Sequence, residues 1–111
     1  MPKYLALFSY SNTAMAAMID NPADRETAVK RVVESVGARL ETLYWMFGAH
    51  DGIAIVDAPD SLTMAGVSAA VSSTGSIRSE TYELFSSEDV QHILETARQA
   101  RDHFARPGQP A

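Results

Sequence analysis

Phe47-Gly48-Ala49-His50-Asp51-Gly52 stands between two strand-like runs, Leu40-Glu41-Thr42-Leu43-Tyr44-Trp45-Met46 before it and Ile53-Ala54-Ile55-Val56-Asp57-Ala58 after it. Aromatic and β-branched residues crowd both runs, and a glycine stands at each end of the intervening turn. That pattern reads as a β-hairpin, with strands over about residues 38–47 and 52–58. The hairpin is the centre of the fold. Its tip carries an ionisable pair, His50-Asp51, beside the aromatic residues Tyr44, Trp45 and Phe47.

Outward from the hairpin, the other elements follow from periodicity and from start and stop signals. Lys3–Tyr10 is the first strand, with Tyr4, Ala6, Phe8 and Tyr10 on one face and Leu5 and Leu7 on the other. Thr13–Ile19 is a short helical piece. Asn21-Pro22 reads as a helix start, with Asn as cap, Pro at the first helical position, and Asp24 and Glu26 suiting the positive end of the helix dipole. The helix is expected to run to about Val36 on a stripe of Val29, Val32, Val33 and Val36, and Gly37 ends it. Pro59-Asp60-Ser61 opens a second long helix, about Ser61–Ser73, and Ser76–Leu84 is the fourth strand. Ser86 to Asp89 resembles a capping box with Asp in place of Glu. The last helix carries Val90, Ile93, Leu94, Ala97, Ala100 and Phe104 on one stripe. Residues 1–104 form one domain and 105–111 a flexible C-terminal tail.

The order β-α-β-β-α-β with an extra C-terminal helix is the ferredoxin-like split βαβ arrangement, an α+β fold with an antiparallel sheet. Helices of such a domain cover one face of the sheet, and the other face should then alternate to polar. Here it does not. The first strand is apolar on both faces, Tyr44 and Met46 oppose Leu43, Trp45 and Phe47, and Ile53 and Ile55 oppose Ala54 and Val56. A sheet apolar on both sides needs cover on both sides, so the expectation is a homodimer packed sheet to sheet, a dimeric α/β barrel.

With the strands placed, the chain resembles the GYD domain family. The residues that carry the resemblance are Pro2-Lys3-Tyr4-Leu5-Ala6-Leu7-Phe8-Ser9-Tyr10, the Asn21-Pro22-x-Asp24-Arg25 stretch, the Gly48-x-His50-Asp51-Gly52 turn and the Ala58-Pro59-Asp60 loop. The resemblance implies a dimeric α/β barrel and supplies no settled activity. At the motif itself this chain has His50 where the family pattern has Tyr. A role for that phenol does not carry over, whereas the Gly48 and Asp51 positions do.

Composition narrows the classes of function. The 111 residues suit one domain, with 46% hydrophobic and 21% charged residues, as in ordinary globular proteins. A net charge of −5 without a Lys/Arg cluster argues against nucleic acid as a partner. The absence of cysteine removes disulfides, Fe–S clusters and thiol catalysis, and it suits a reducing cytoplasm. No apolar run approaches membrane-spanning length, so no membrane is expected as a partner. No metal or cofactor is expected either. His92 and His103 lie eleven residues apart on the last helix and form no zinc spacing, and Gly66 and Gly75 form no phosphate loop.

The candidate site residues are His50 and Asp51 as acid/base groups, with Phe8, Tyr10, Tyr44 and Trp45 as a ligand-binding set. An imidazole beside an aromatic floor suits proton transfer, and aromatic rings suit a flat organic ligand. Each feature also has a structural reading. Asp and Gly are ordinary turn residues, and the aromatic set serves equally as core and dimer interface. Arg78 and Glu80, two apart on the fourth strand, read as an exposed ion pair or as a carboxylate-binding pair. Three functions therefore stand: a small-molecule-binding protein, a cofactor-independent enzyme of monooxygenase or isomerase type using His50, and a structural or interaction module.

Overall fold

A computed structural model describes the chain from Met1 to Ala111. The elements in chain order are β1 (Lys3–Tyr10), α1 (Asn12–Asp20), α2 (Arg25–Glu34), β2 (Arg39–Trp45), β3 (Gly52–Asp57), α3 (Ser61–Ser73), β4 (Ile77–Leu84) and α4 (Ser87–Arg101). The four strands form one sheet in the order β2-β3-β1-β4, and every neighbouring pair is antiparallel. This is the α+β, ferredoxin-like arrangement that the sequence pattern implies, with β1 inserted between the hairpin and β4.

Register decides which side chains share a face. Leu43, Ala54, Ala6 and Thr81 lie in one cross-strand row, and Trp45, Gly52, Phe8 and Ser79 in the next. These rows face α2 and α3. The core on this side holds Tyr4, Phe8, Val33, Val56, Ala58 and Met64, all buried. The opposite rows are Thr42, Ile55, Leu5 and Tyr82, then Tyr44, Ile53, Leu7 and Glu80. No helix of the chain packs on that face. A bulge between Leu40 and Thr42 lets Glu41 reach the same side as Arg39, where both join a charged row.

That row is built around Asp57, only 4% exposed. Lys3 Nζ donates to Asp57 Oδ1 at 2.8 Å and Arg39 Nη2 donates to Oδ2 at 2.8 Å, while Lys3 also reaches Glu41 Oε2 at 3.1 Å. Two cationic donors hold the Asp57 carboxyl below the ordinary carboxylate range, and Asp57 in turn raises Lys3. A nearly buried carboxylate is tolerated because both oxygens are satisfied by charge-assisted bonds.

The helix that follows α1 starts later than the Asn21-Pro22 signal suggests. Asn21 closes α1 instead, its N–H donating to Ala17 O at 2.9 Å. Asp24 is the N-cap of α2: Thr27 N–H donates to Oδ1 at 3.2 Å and Thr27 Oγ1–H to Oδ2 at 2.6 Å. The residue before a proline is biased to extended backbone, and Asn21 obeys with φ −139° and ψ 77°. Asp24 with Thr27 three residues on is then the first competent cap.

α4 starts on a full capping box, Asp89 N–H to Ser86 Oγ at 3.1 Å and Ser86 N–H to Asp89 Oδ2 at 3.2 Å. Every residue of α4 is exposed, including Val90, Ile93 and Leu94 of its apolar stripe. The helix runs out from the sheet, so the molecule measures 61 × 31 × 24 Å with a radius of gyration of 18.3 Å. A compact chain of this length has about 13 Å.

Candidate functional site

The turn between β2 and β3 ties the hairpin to the end of β1. Met46 N–H donates to Asp51 O at 2.9 Å, and Asp51 N–H donates to Phe8 O at 2.8 Å. The Asp51 carboxylate then accepts the Tyr10 N–H at 2.8 Å. Asp51 thus extends the β1–β3 ladder by one rung with its side chain, satisfying a backbone donor that the end of the strand would leave open. His50 points elsewhere: Nδ1 lies 3.5 Å from Ser9 Oγ, which also donates to Ala49 O at 3.4 Å. Ser9 belongs to the sheet face away from α2 and α3, and His50 is half-buried beside it.

The two glycines of the turn have different reasons. Gly48 takes φ +136°, a backbone region open to glycine. Gly52 makes room: a Cβ there would sit 2.6 Å from Cε2 and 2.9 Å from Cε1 of Phe8. With no side chain at 52, the Phe8 ring lies across β3 and meets Trp45 edge-on, centroids 5.7 Å apart. Phe8 meets Tyr10 edge-on as well, at 5.8 Å, and Tyr10 stacks on Trp45 at 5.8 Å and 20°. The Arg25 guanidinium lies over the Tyr10 ring at 5.8 Å.

Three of the four aromatic candidates therefore come together, Phe8, Tyr10 and Trp45. Tyr44 does not, because adjacent strand residues face opposite ways. It stands on the open sheet face and is 66% exposed. Beside the ring cluster, between the sheet and the helices α2 and α3, lies a cleft of about 330 Å³. Its floor is Ala6, Phe8, Ala54 and Val56, and its walls include Val29 and Val33 from α2 and Met64 and Val67 from α3. Thirteen of its 17 lining residues are hydrophobic. Phe8 and Tyr10 line this cleft, whereas Tyr44, Trp45 and His50 do not. No three His, Asp or Glu side chains converge as a metal-binding group, and no helix is long and apolar enough to cross a membrane.

A family model described as the GYD domain matches residues 4–94. This chain belongs to the GYD domain family. The match runs from β1 into α4 and includes the hairpin turn. Among similar proteins is one from Thermus thermophilus named "Glutamine synthetase and cystathionine beta-lyase binding protein", 23% identical over 90 residues that cover 81% of this chain and 95% of the relative.

In this GYD domain the Asp of the turn motif has a defined structural task, the Tyr10 rung. The residue before it, His50, faces Ser9. Sequence reasoning missed Arg25, which lines the cleft and is its single charged side chain. The signal was present in the spacing: Arg25 precedes Val29 by four residues and Val33 by eight, on the same stripe of α2. The Lys3–Asp57–Arg39 network was missed as well. Its signal was the register of three strand-end residues, which becomes visible only when the strands are paired.

Proposed function

We propose that this GYD domain is a homodimeric binding protein that holds a small organic molecule in the cleft between its sheet and α2 and α3. The cleft carries the reading: about 330 Å³, predominantly apolar, with one cation and the small hydroxyl side chains Ser68, Ser79 and Thr81 in its lining. That is the lining expected of a small-molecule site, and its volume falls at the lower end of the range of about 300–1,000 Å³ for such sites. The dimer is formed by the open sheet faces, whose centres are Leu5, Leu7, Ile53 and Ile55. Native mass spectrometry beside a denatured sample tests the reading. The expected result is a dimer with extra mass that disappears on denaturation. Ser79→Phe, which fills the cleft from its floor, should remove the extra mass and leave the dimer. A bare dimer that also fails to bind added apolar ligands would overturn it.

A second reading is favoured by a separate observation. Phe47 is 106% exposed at the tip of the hairpin, and Trp45 beside it is 50% exposed. An aromatic tip suits docking to another protein. The name of the Thermus thermophilus relative describes binding to two enzymes. Under this reading the chain is an interaction module. Phe47→Ser should then abolish capture of a purified partner enzyme and leave cleft binding intact.

The enzyme reading would use His50, with Tyr10 or Trp45 holding an aromatic substrate. His50 stands beside Ser9 at the open face while those rings stand on the helix side, so a single substrate would have to pass around the sheet end to reach both. We therefore place ligand binding ahead of catalysis.

A further inference from the structure

We infer that the cleft is selective for an organic monocarboxylate with an extended aliphatic body, bound with its carboxylate at Arg25. The inference rests on the small-molecule reading above and adds the ligand's charge, shape and direction.

Charge comes first. Arg25 is the one charged side chain of the lining, and it forms no ion pair within the chain. Its hydrogen bond runs from Nε to Tyr10 Oη at 3.5 Å, which leaves the planar Nη fork for an outside acceptor. A guanidinium fork matches a carboxylate in bidentate fashion, and guanidinium is weakly hydrated enough to do so while half-buried. Of the two acids flanking it in sequence, Asp24 is bound to Thr27 in the helix cap and Glu26 forms no ion pair with it.

Direction follows from the other end. The cleft lies along β1, and Ala6 and Tyr10 are separated by about 13 Å at ~3.3 Å per strand residue. Beyond Ala6 a smaller hollow shares Met64, Ser68 and Thr81 with the cleft and is bounded by Tyr4, Ser61 and Glu83. There Ser61 Oγ donates to Glu83 Oε1 at 2.9 Å and lies 3.0 Å from Tyr4 Oη. One end of the groove is thus cationic and the other holds a carboxylate, so an anion has a single favourable orientation. At the Arg25 end the groove continues under Ala14, Ala17 and Met18 of α1, a second hollow of about 470 Å³ that keeps the carboxylate in touch with water. Full desolvation of the ion pair, which would erode its gain, is avoided.

Shape follows from the walls. The aromatic rings are engaged with one another, Tyr10 on Trp45 and Phe8 edge-on to both. The walls left for a ligand are Val29, Val32, Val33, Val67 and Val71 with Met64. An aliphatic chain suits these better than a flat ring that seeks a stacking partner.

The test is calorimetric titration of the purified chain with decanoate, decanol and decylammonium, each below its aggregation concentration. The wild type, Arg25→Gln, Arg25→Lys and Ser79→Phe are compared, with carbon-detected methyl shifts of the valines to locate the ligand. Decanoate should bind at least tenfold tighter than decanol, and decylammonium weakest. Arg25→Gln should bring decanoate to the level of decanol without changing decanol itself, and Arg25→Lys should keep part of the preference. Ser79→Phe should weaken all three. Equal binding of the three ligands, insensitive to Arg25→Gln but blocked by Ser79→Phe, would overturn the carboxylate inference and leave the cleft reading standing. Tightest binding of decylammonium would overturn it in the same way. Absence of binding by every ligand, with a folded protein in the melt, would overturn the carboxylate inference, and together with a bare dimer in native mass spectrometry it would overturn the cleft reading as well.

Discussion

At Gly52 a single missing side chain decides how the aromatic cluster packs. Adding a methyl group forces the Phe8 ring off β3, and with it the edge contacts to Trp45 and Tyr10. Gly52→Ala is expected to destabilise by about 1–3 kcal/mol, the range for overpacking a core. Denaturant unfolding would measure the loss, and Trp45 fluorescence would report the displaced ring. The folded state lowers the Asp57 carboxyl through Lys3 and Arg39, so its contribution to stability is complete above the ordinary carboxylate value, about pH 4. It is lost as pH falls through the lower folded value. Asp57→Ala should therefore cost about 1–3 kcal/mol near neutrality, and should cost less in denaturant melts as pH drops below 4. An unchanged difference at pH 2.5 would contradict this account. The glycines at 48 and 52 were legible in the sequence as turn markers. That only Gly48 needs its backbone freedom, and Gly52 its empty space, was not, because the second reason is a contact with a residue 44 positions away.

At the scale of elements, the periodicities placed every strand and helix, while several ends moved: α4 stops at Arg101, short of Phe104, β2 covers Arg39–Trp45, and α2 starts at Arg25 and ends at Glu34. Asn21-Pro22 has the residue types of a helix start, yet Asp24 and Thr27 make a cap with two hydrogen bonds, and the better-satisfied cap sets the start. Arg25 reaches the cleft because it stands on the same helical stripe as Val29, Val32 and Val33. Of the proposed site, the sequence showed Phe8 and Tyr10 through alternation along β1. The helix-side walls could not be read in the same way, since Val29 and Val33 look like any core stripe until a gap opens between α2 and α3. α4 presents a different case. It is a helix of 15 residues whose stripe has no cover within the chain. Isolated helices shorter than about 12–15 residues are marginal in water, so its capping box matters more than it would in a packed helix. Ser86→Ala is expected to lower α4 stability by about 1 kcal/mol, read as a loss of far-UV helical signal at dilute concentration. A full helical signal in that variant would mean that packing on another surface, rather than the cap, holds α4.

For the whole molecule, two surfaces lack cover. One is the open sheet face around Leu5, Leu7, Ile53 and Ile55, with Tyr44 and Tyr82 exposed at its flanks. The other is the stripe of α4. Monomeric proteins rarely leave contiguous apolar patches of this kind in water. The homodimer proposed above would bury the first by two-fold symmetry, since each copy would offer the same rows to the other. The apolar pattern on both faces was readable from alternation alone, whereas the outward course of α4 was not, because its amphipathic stripe predicts a partner without saying whether it lies in the same chain. Leu7 sits at the centre of the open face and Leu94 on α4, so substitutions there separate the two surfaces. Leu7→Asp places a charge where two sheets would meet and is expected to give a monomer in native mass spectrometry. Its melting temperature should lose the dependence on protein concentration that a dimer shows by mass action. Leu94→Asp should leave the dimer intact if the sheets alone make the interface, and should weaken it at least tenfold if α4 lies against the second copy. A wild-type protein that is monomeric at high micromolar concentration would remove the sheet-to-sheet dimer, and the apolar open face would then require a different partner.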